Sequence, residues 1–99
     1  MFNESNDYSL KKIEERYKRE VSSILFELNY FEQTVFSVFD VVLSKKKENL
    51  KVYLFFSSKE KKKEILNALN NKFLLIIKKK IAKTGKFTNI PKISFFTCN

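Results

Sequence analysis

The sequence predicts an α+β domain: three helices packed on one face of a three-stranded sheet, in the order α-β-β-α-α-β. Three observations point there. Apolar residues recur at helical spacing in two stretches, near the start of the chain and in its second half. Between them lie two runs dense in Val, Phe and Leu, joined by a short polar segment. A final apolar run follows the only proline, Pro91. At 99 residues the chain holds one core and one domain.

The first stripe is Leu10, Ile13, Tyr17, Val21, Ile24, Leu25 and Leu28. Ser9 stands in front of it as a plausible N-cap, so residues 1–8 are expected to be a disordered N-terminus and 9–99 the domain. Glu14–Lys18 and Glu15–Arg19 are spaced to pair along the outer face. The pattern breaks at residues 29–33, and residues 34–44 have strand composition. Strict alternation places Val35, Ser37, Phe39, Val41 and Leu43 on one side and Phe36, Val38, Asp40, Val42 and Ser44 on the other. Residues 45–49, KKKEN, make a polar connection whose length favours an antiparallel hairpin. In the second strand, residues 50–56, Leu50, Val52, Leu54 and Phe56 face the core, with Lys51, Tyr53 and Phe55 opposite.

Ser57 to Glu60 matches a capping box at the head of the second helical stretch. There Ile65, Leu69, Phe73, Ile77 and Ile81 are spaced by four. Asn70 and Asn71, poor helix formers, predict a bend or two helices. The pattern stops at Gly85, the only glycine, at a position suited to a C-terminal cap. Residues 90–97 form the third strand, with Pro91 at its start.

Charge separates along the chain. Residues 1–44 carry five basic and eight acidic side chains; residues 45–99 carry fifteen and three. No acid occurs between Ile65 and Asn99, against seven lysines. Such asymmetry is the footprint of an anionic partner. The plain alternative is a solvated basic face, with lysine inflated by codon bias.

With no His and one Cys (Cys98), His-based acid–base catalysis, a Cys/His zinc site and an internal disulfide are excluded. One glycine cannot build a phosphate-binding loop. Asp40 lacks a second catalytic group and reads as structural. No cofactor and no enzymatic activity are expected. The longest apolar run is five residues, far short of the roughly 20 of a membrane span, and the polar N-terminus does not read as a signal peptide. A cytoplasmic protein, monomeric when free and with no membrane partner, is expected.

Several stretches, in order and spacing, resemble the ribosome-binding factor A family over residues 10–97. KIEERYKREVSSIL, from Lys12 to Leu25, looks like the family's first helix, and VFDVVLS, from Val38 to Ser44, like its first strand. The step from Ser44 to KVYL, Lys51 to Leu54, has the family's spacing. ALN, from Ala68 to Asn70, and PKISFF, from Pro91 to Phe96, match two further segments. The resemblance implies a type II KH-like fold and a non-catalytic assembly factor. Such a factor binds the small ribosomal subunit late in maturation and contacts its ribosomal RNA. Where the family has an Ala-x-Gly kink between its last two helices, this chain has residues 73–75 or 72–74, without Ala or Gly.

Lys72, Lys79 and Lys83 are the leading RNA-contact residues. In a continuous helix their offsets confine them to about 40° of arc, with Lys86 extending the stripe and Lys78 and Lys80 flanking the apolar face. Lys45, Lys46 and Lys47 form a second patch at the hairpin tip. Tyr53 and Phe55 either stack on unpaired bases or pack across strands with Phe36 and Val38. Two other functions fit the composition: a small basic ribosomal or other RNA-associated structural protein, and a module for anionic lipid surfaces.

Overall fold

In a computed structural model the backbone is described for residues 2–28 and 36–99, and the side chains for 9–28 and 36–99. The elements are α1 (Phe2–Leu28), β1 (Phe36–Leu43), β2 (Asn49–Phe56), α2 (Lys62–Asn70), α3 (Leu74–Lys83) and β3 (Lys92–Thr97), in the expected order. The sheet order is β1-β2-β3. β1 and β2 form the antiparallel hairpin that the short connection dictates. β3 returns parallel to β2 after the α2–α3 crossover, the length of connection a parallel pair needs.

The expected core assembles on one sheet face. Tyr17, Val21, Ile24 and Leu25 come down from α1. Ile65, Leu69, Phe73, Ile77 and Ile81 come from the second helical stretch, and Leu50, Val52, Leu54 and Phe56 from β2. Ile93 and Phe95 complete it from β3.

Four local expectations change. α1 begins at Phe2, so Ser9 lies inside the helix instead of capping it; no proline or glycine between residues 2 and 9 stops the helix from propagating. The box from Ser57 to Glu60 does not cap α2, which starts at Lys62; the Ser58 hydroxyl accepts from the Glu60 N–H at 3.4 Å. The Glu14 carboxylate accepts from the Leu43 N–H at 2.7 Å, and among the described residues it makes no ion pair with Lys18. The fourth change is in β1. The register slips between Val38 and Asp40, a β-bulge at Phe39. Before it Phe36 and Val38 pack against the core; after it Val41 and Leu43 do. One extra residue inverts the alternation. The expectations for residues 29–33 and for Thr34 and Val35 lie outside the described residues.

Side chains occupy backbone groups on both edges of the sheet. On the β1 edge, Asp40 accepts from the Val41 N–H at 2.9 Å, beside the Glu14–Leu43 bond; this is the structural role expected of Asp40. On the β3 edge, Asn70 accepts from the Phe95 N–H at 2.7 Å and donates to its carbonyl at 3.0 Å. Asn99 makes the same two-way pairing with Phe56, at 3.1 and 2.8 Å, where β2 runs beyond its partner. An edge whose N–H and C=O groups are occupied is a poor template for pairing with another chain.

The joint between α2 and α3 falls where the two asparagines predict it. The Phe73 N–H reaches back to the Ala68 carbonyl at 2.9 Å, one residue farther than in an α-helix. The Asn71 amide donates to the Asn67 carbonyl and to its side chain, at 2.9 and 2.8 Å. A spacing of four drifts about 40° per step on a straight helix. Ile65 to Ile81 would drift by roughly 160°, and the joint resets that drift so that both halves bury their residues. α3 ends as expected: Thr84 caps it, and Gly85 takes the left-handed backbone at φ 69°.

Tyr17 stacks on Phe87 with ring centroids 4.0 Å apart and donates its hydroxyl to the Asn89 carbonyl at 3.4 Å. Burial pushes its hydroxyl pKa above the usual 10. The folded protein therefore holds this proton more tightly than the unfolded chain. The resulting stability is complete below about pH 10 and is lost as pH rises through the folded value. Tyr17→Phe is expected to flatten the loss of melting temperature above that pH. An unchanged alkaline slope would show that other groups carry it.

Candidate nucleic-acid interface

Lys79 and Lys83 stand one turn apart on the outer face of α3 and are exposed. The inner face is fixed by Ile77 and Ile81. Leu75 and Ile76, both exposed, share the outer face, so it is amphipathic as well as basic. Lys78 and Lys80 lie half-buried along its flanks, as expected for stems laid over apolar surface. Lys80 also reaches Glu27 on α1 at 3.5 Å.

Lys72 is not on this helix. It is exposed in the joint ahead of α3, its ammonium 5.5 Å from the centre of the Phe73 ring. The continuous stripe of Lys72, Lys79 and Lys83 is thus replaced by a helix-borne pair and a lysine at the bend. Lys86 does not continue the stripe either: past Gly85 its ammonium turns to Glu20 on α1 at 2.7 Å.

Lys45, Lys46 and Lys47 are exposed at the hairpin tip. The turn that carries them is ordered by one residue. The Ser44 hydroxyl accepts from the N–H groups of Glu48 and Asn49, each at 3.1 Å. Its carbonyl accepts from the Lys47 N–H at 2.8 Å. The tight turn puts Lys47 in a left-handed backbone, φ 61°, at a cost in strain.

The sheet face away from the helices carries Tyr53 and Phe55, as predicted, with Phe39 and Phe96 beside them. The expected packing against Phe36 and Val38 is absent because the bulge turns those two inward. Tyr53 pairs instead with Phe96, ring centroids 5.7 Å apart. Sequence reasoning missed Arg16, which shares a cleft with Lys46, Lys47 and Lys86. Nothing in local spacing connects residues on α1, the hairpin tip and the segment before β3. Cys98 is an exposed free thiol. Among the described residues no group of three acidic or cysteine side chains could hold a metal, and no helix is long and apolar enough to cross a membrane.

These features define a small α+β domain with an acid-poor lysine surface on its second helical stretch. Its fold is that of ribosome-binding factor A, as the sequence resemblance indicates. Ribosome-binding factor A from Thermus thermophilus superposes with a TM-score of 0.77 at 22% identity, over 89% of this chain and 94% of that one. A Thermotoga maritima protein, a proposed ribosome binding factor A, superposes with a TM-score of 0.78 at 25% identity, over 90% of this chain and 86% of that one. No family model and no curated protein matches the chain.

Proposed function

We propose that this protein is a ribosome-associated factor of the ribosome-binding factor A type, with a type II KH-like domain. It binds the small ribosomal subunit during maturation and contacts ribosomal RNA backbone through Lys79 and Lys83 on α3 and Lys72 at the joint. It works in the cytoplasm as a monomer, by binding and without catalysis. The observation that carries the reading is the fold likeness to ribosome-binding factor A across nearly the whole chain. The acid-free lysine surface from Ile65 onward gives it a physical means: lysines on a rigid support neutralise phosphates and release counterions.

Cosedimentation with immature and mature small subunits tests the reading. Preference for immature subunits is the expected result. Equal retention on mature, translating ribosomes would instead indicate a permanent ribosomal protein. Replacing Lys72, Lys79 and Lys83 together by Gln keeps helix propensity and should leave the fold intact. Each lost phosphate contact flattens the slope of log affinity against log salt by about 0.7–0.9, so the triple variant should lose roughly 2–3. Lys11→Gln with Lys18→Gln on α1 should change it less. An unchanged slope in the triple variant would remove α3 from the interface.

A further inference from the structure

We propose that the cleft between α1, the β1–β2 turn and the segment before β3 is a nucleotide-binding site. Arg16, Lys46 and Lys47 take the phosphate, and Phe87 offers its ring to the base. The cleft is open to solvent and has a volume of about 740 Å³, within the range of small-molecule sites. Four cations line it, Arg16, Lys46, Lys47 and Lys86, against one acid, Glu48. Lys86 is held by Glu20, whereas Arg16, Lys46 and Lys47 have no ion-pair partner among the described residues.

The walls are preorganised. Ser44 fixes the turn that presents Lys46 and Lys47. Phe87 is braced on one face by the buried ring of Tyr17, nearly parallel at 13°. Cations gathered beside a braced aromatic ring match a ligand that carries both a phosphate and a flat base. An acidic peptide would use the cations and leave the ring idle. The nucleotide is either free or part of an RNA strand; only the second source rests on the RNA-binding reading above. The site uses none of Lys72, Lys79 and Lys83.

The test is an NMR titration of the ¹⁵N-labelled full chain with AMP, UMP, adenosine and inorganic phosphate. AMP and UMP should shift the amides of Arg16, Lys46, Lys47 and Phe87 at millimolar concentration, and adenosine should do so less. Lys46→Gln with Lys47→Gln should weaken AMP binding about tenfold. Lys47→Gly guards against misfolding as the cause: it relieves the left-handed backbone, so the melting temperature should rise while AMP binding weakens about threefold. Absence of AMP shifts overturns the proposal. So do equal shifts from inorganic phosphate, which would mean an anion site only, or from tetraglutamate. A single-stranded oligouridylate that shifts the same amides as UMP assigns the nucleotide to an RNA strand; UMP alone assigns a free nucleotide. The Lys72, Lys79, Lys83 variant should keep its AMP shifts even where subunit binding is lost, so the two sites fail separately.

Discussion

Ile77→Asp is expected to abolish cooperative unfolding or to yield insoluble protein. Ile77 is fully buried at the centre of α3, among the residues that face the sheet. The substitution removes most of the side chain's apolar surface, a loss of about 2–5 kcal/mol by analogy with large-to-small core changes. It also places a carboxylate in an apolar setting: no charged residue among those described is buried, and the hydroxyl of the buried Tyr17 is already engaged with Asn89. Burying a polar group without a hydrogen bond costs a further ~1–3 kcal/mol even after relaxation, and an unpaired charge costs more. A domain of this size has a total stability of about 5–15 kcal/mol, so the sum takes most of it. Ile77→Val, which deletes one methyl group, should cost only about 0.5–1.5 kcal/mol and keep a cooperative transition. Lys79→Asp, two positions along on the exposed face, should melt nearly as the parent does. A soluble Ile77→Asp protein with an unchanged melting temperature would mean that this face of α3 is not packed on the sheet.

The buried positions were legible because burial repeats with the period of the element. Spacing by four picked out Ile65 to Ile81, and alternation picked out Leu50 to Phe56; all of them are buried. What failed was local and conditional on tertiary structure. The bulge at Phe39 leaves no mark in the composition of β1, yet it reverses which residues face inward. The capping box at Ser57 is a pattern any polar turn can produce; whether the helix starts there depends on where β2 releases the chain. Glu14 looked like half of an intrahelical pair because sequence shows only neighbours on its own helix, not the strand edge opposite. The lysines were found as residue types but not as an arrangement. Lys72 left the helix when the joint formed, and Lys86 turned back to Glu20. The cleft was invisible altogether: it joins Arg16 to Phe87 across a separation that no periodicity spans.

Asn70→Ala separates two meanings of the same residue by the sign of its effect. If Asn70 only terminates α2, alanine improves helix propensity by roughly 0.5 kcal/mol and the protein becomes more stable. In the structure it does more. Its amide pairs with both backbone groups of Phe95, supplying the edge of β3 with the two hydrogen bonds that a fourth strand would make. Each such bond is worth about 0.5–1.5 kcal/mol net, and unpaired partners add a desolvation cost where water cannot reach them. The site is partly buried, so a net loss of about 1–3 kcal/mol is expected despite the helix gain. Asn71→Ala is the internal control. Its bonds to Asn67 are exposed, so its effect should stay within about 0.5 kcal/mol of zero. Urea denaturation reads the difference as a fall in the midpoint at constant slope. Hydrogen exchange locates it: the Phe95 amide should lose protection in Asn70→Ala, while the Ile77 amide, bonded to the Phe73 carbonyl, should follow global stability alone. With its edge uncovered, β3 becomes a free template, so the variant should also aggregate faster at high concentration. A higher urea midpoint with Phe95 protection intact would reduce Asn70 to a helix terminator and leave the β3 edge to be closed by something else.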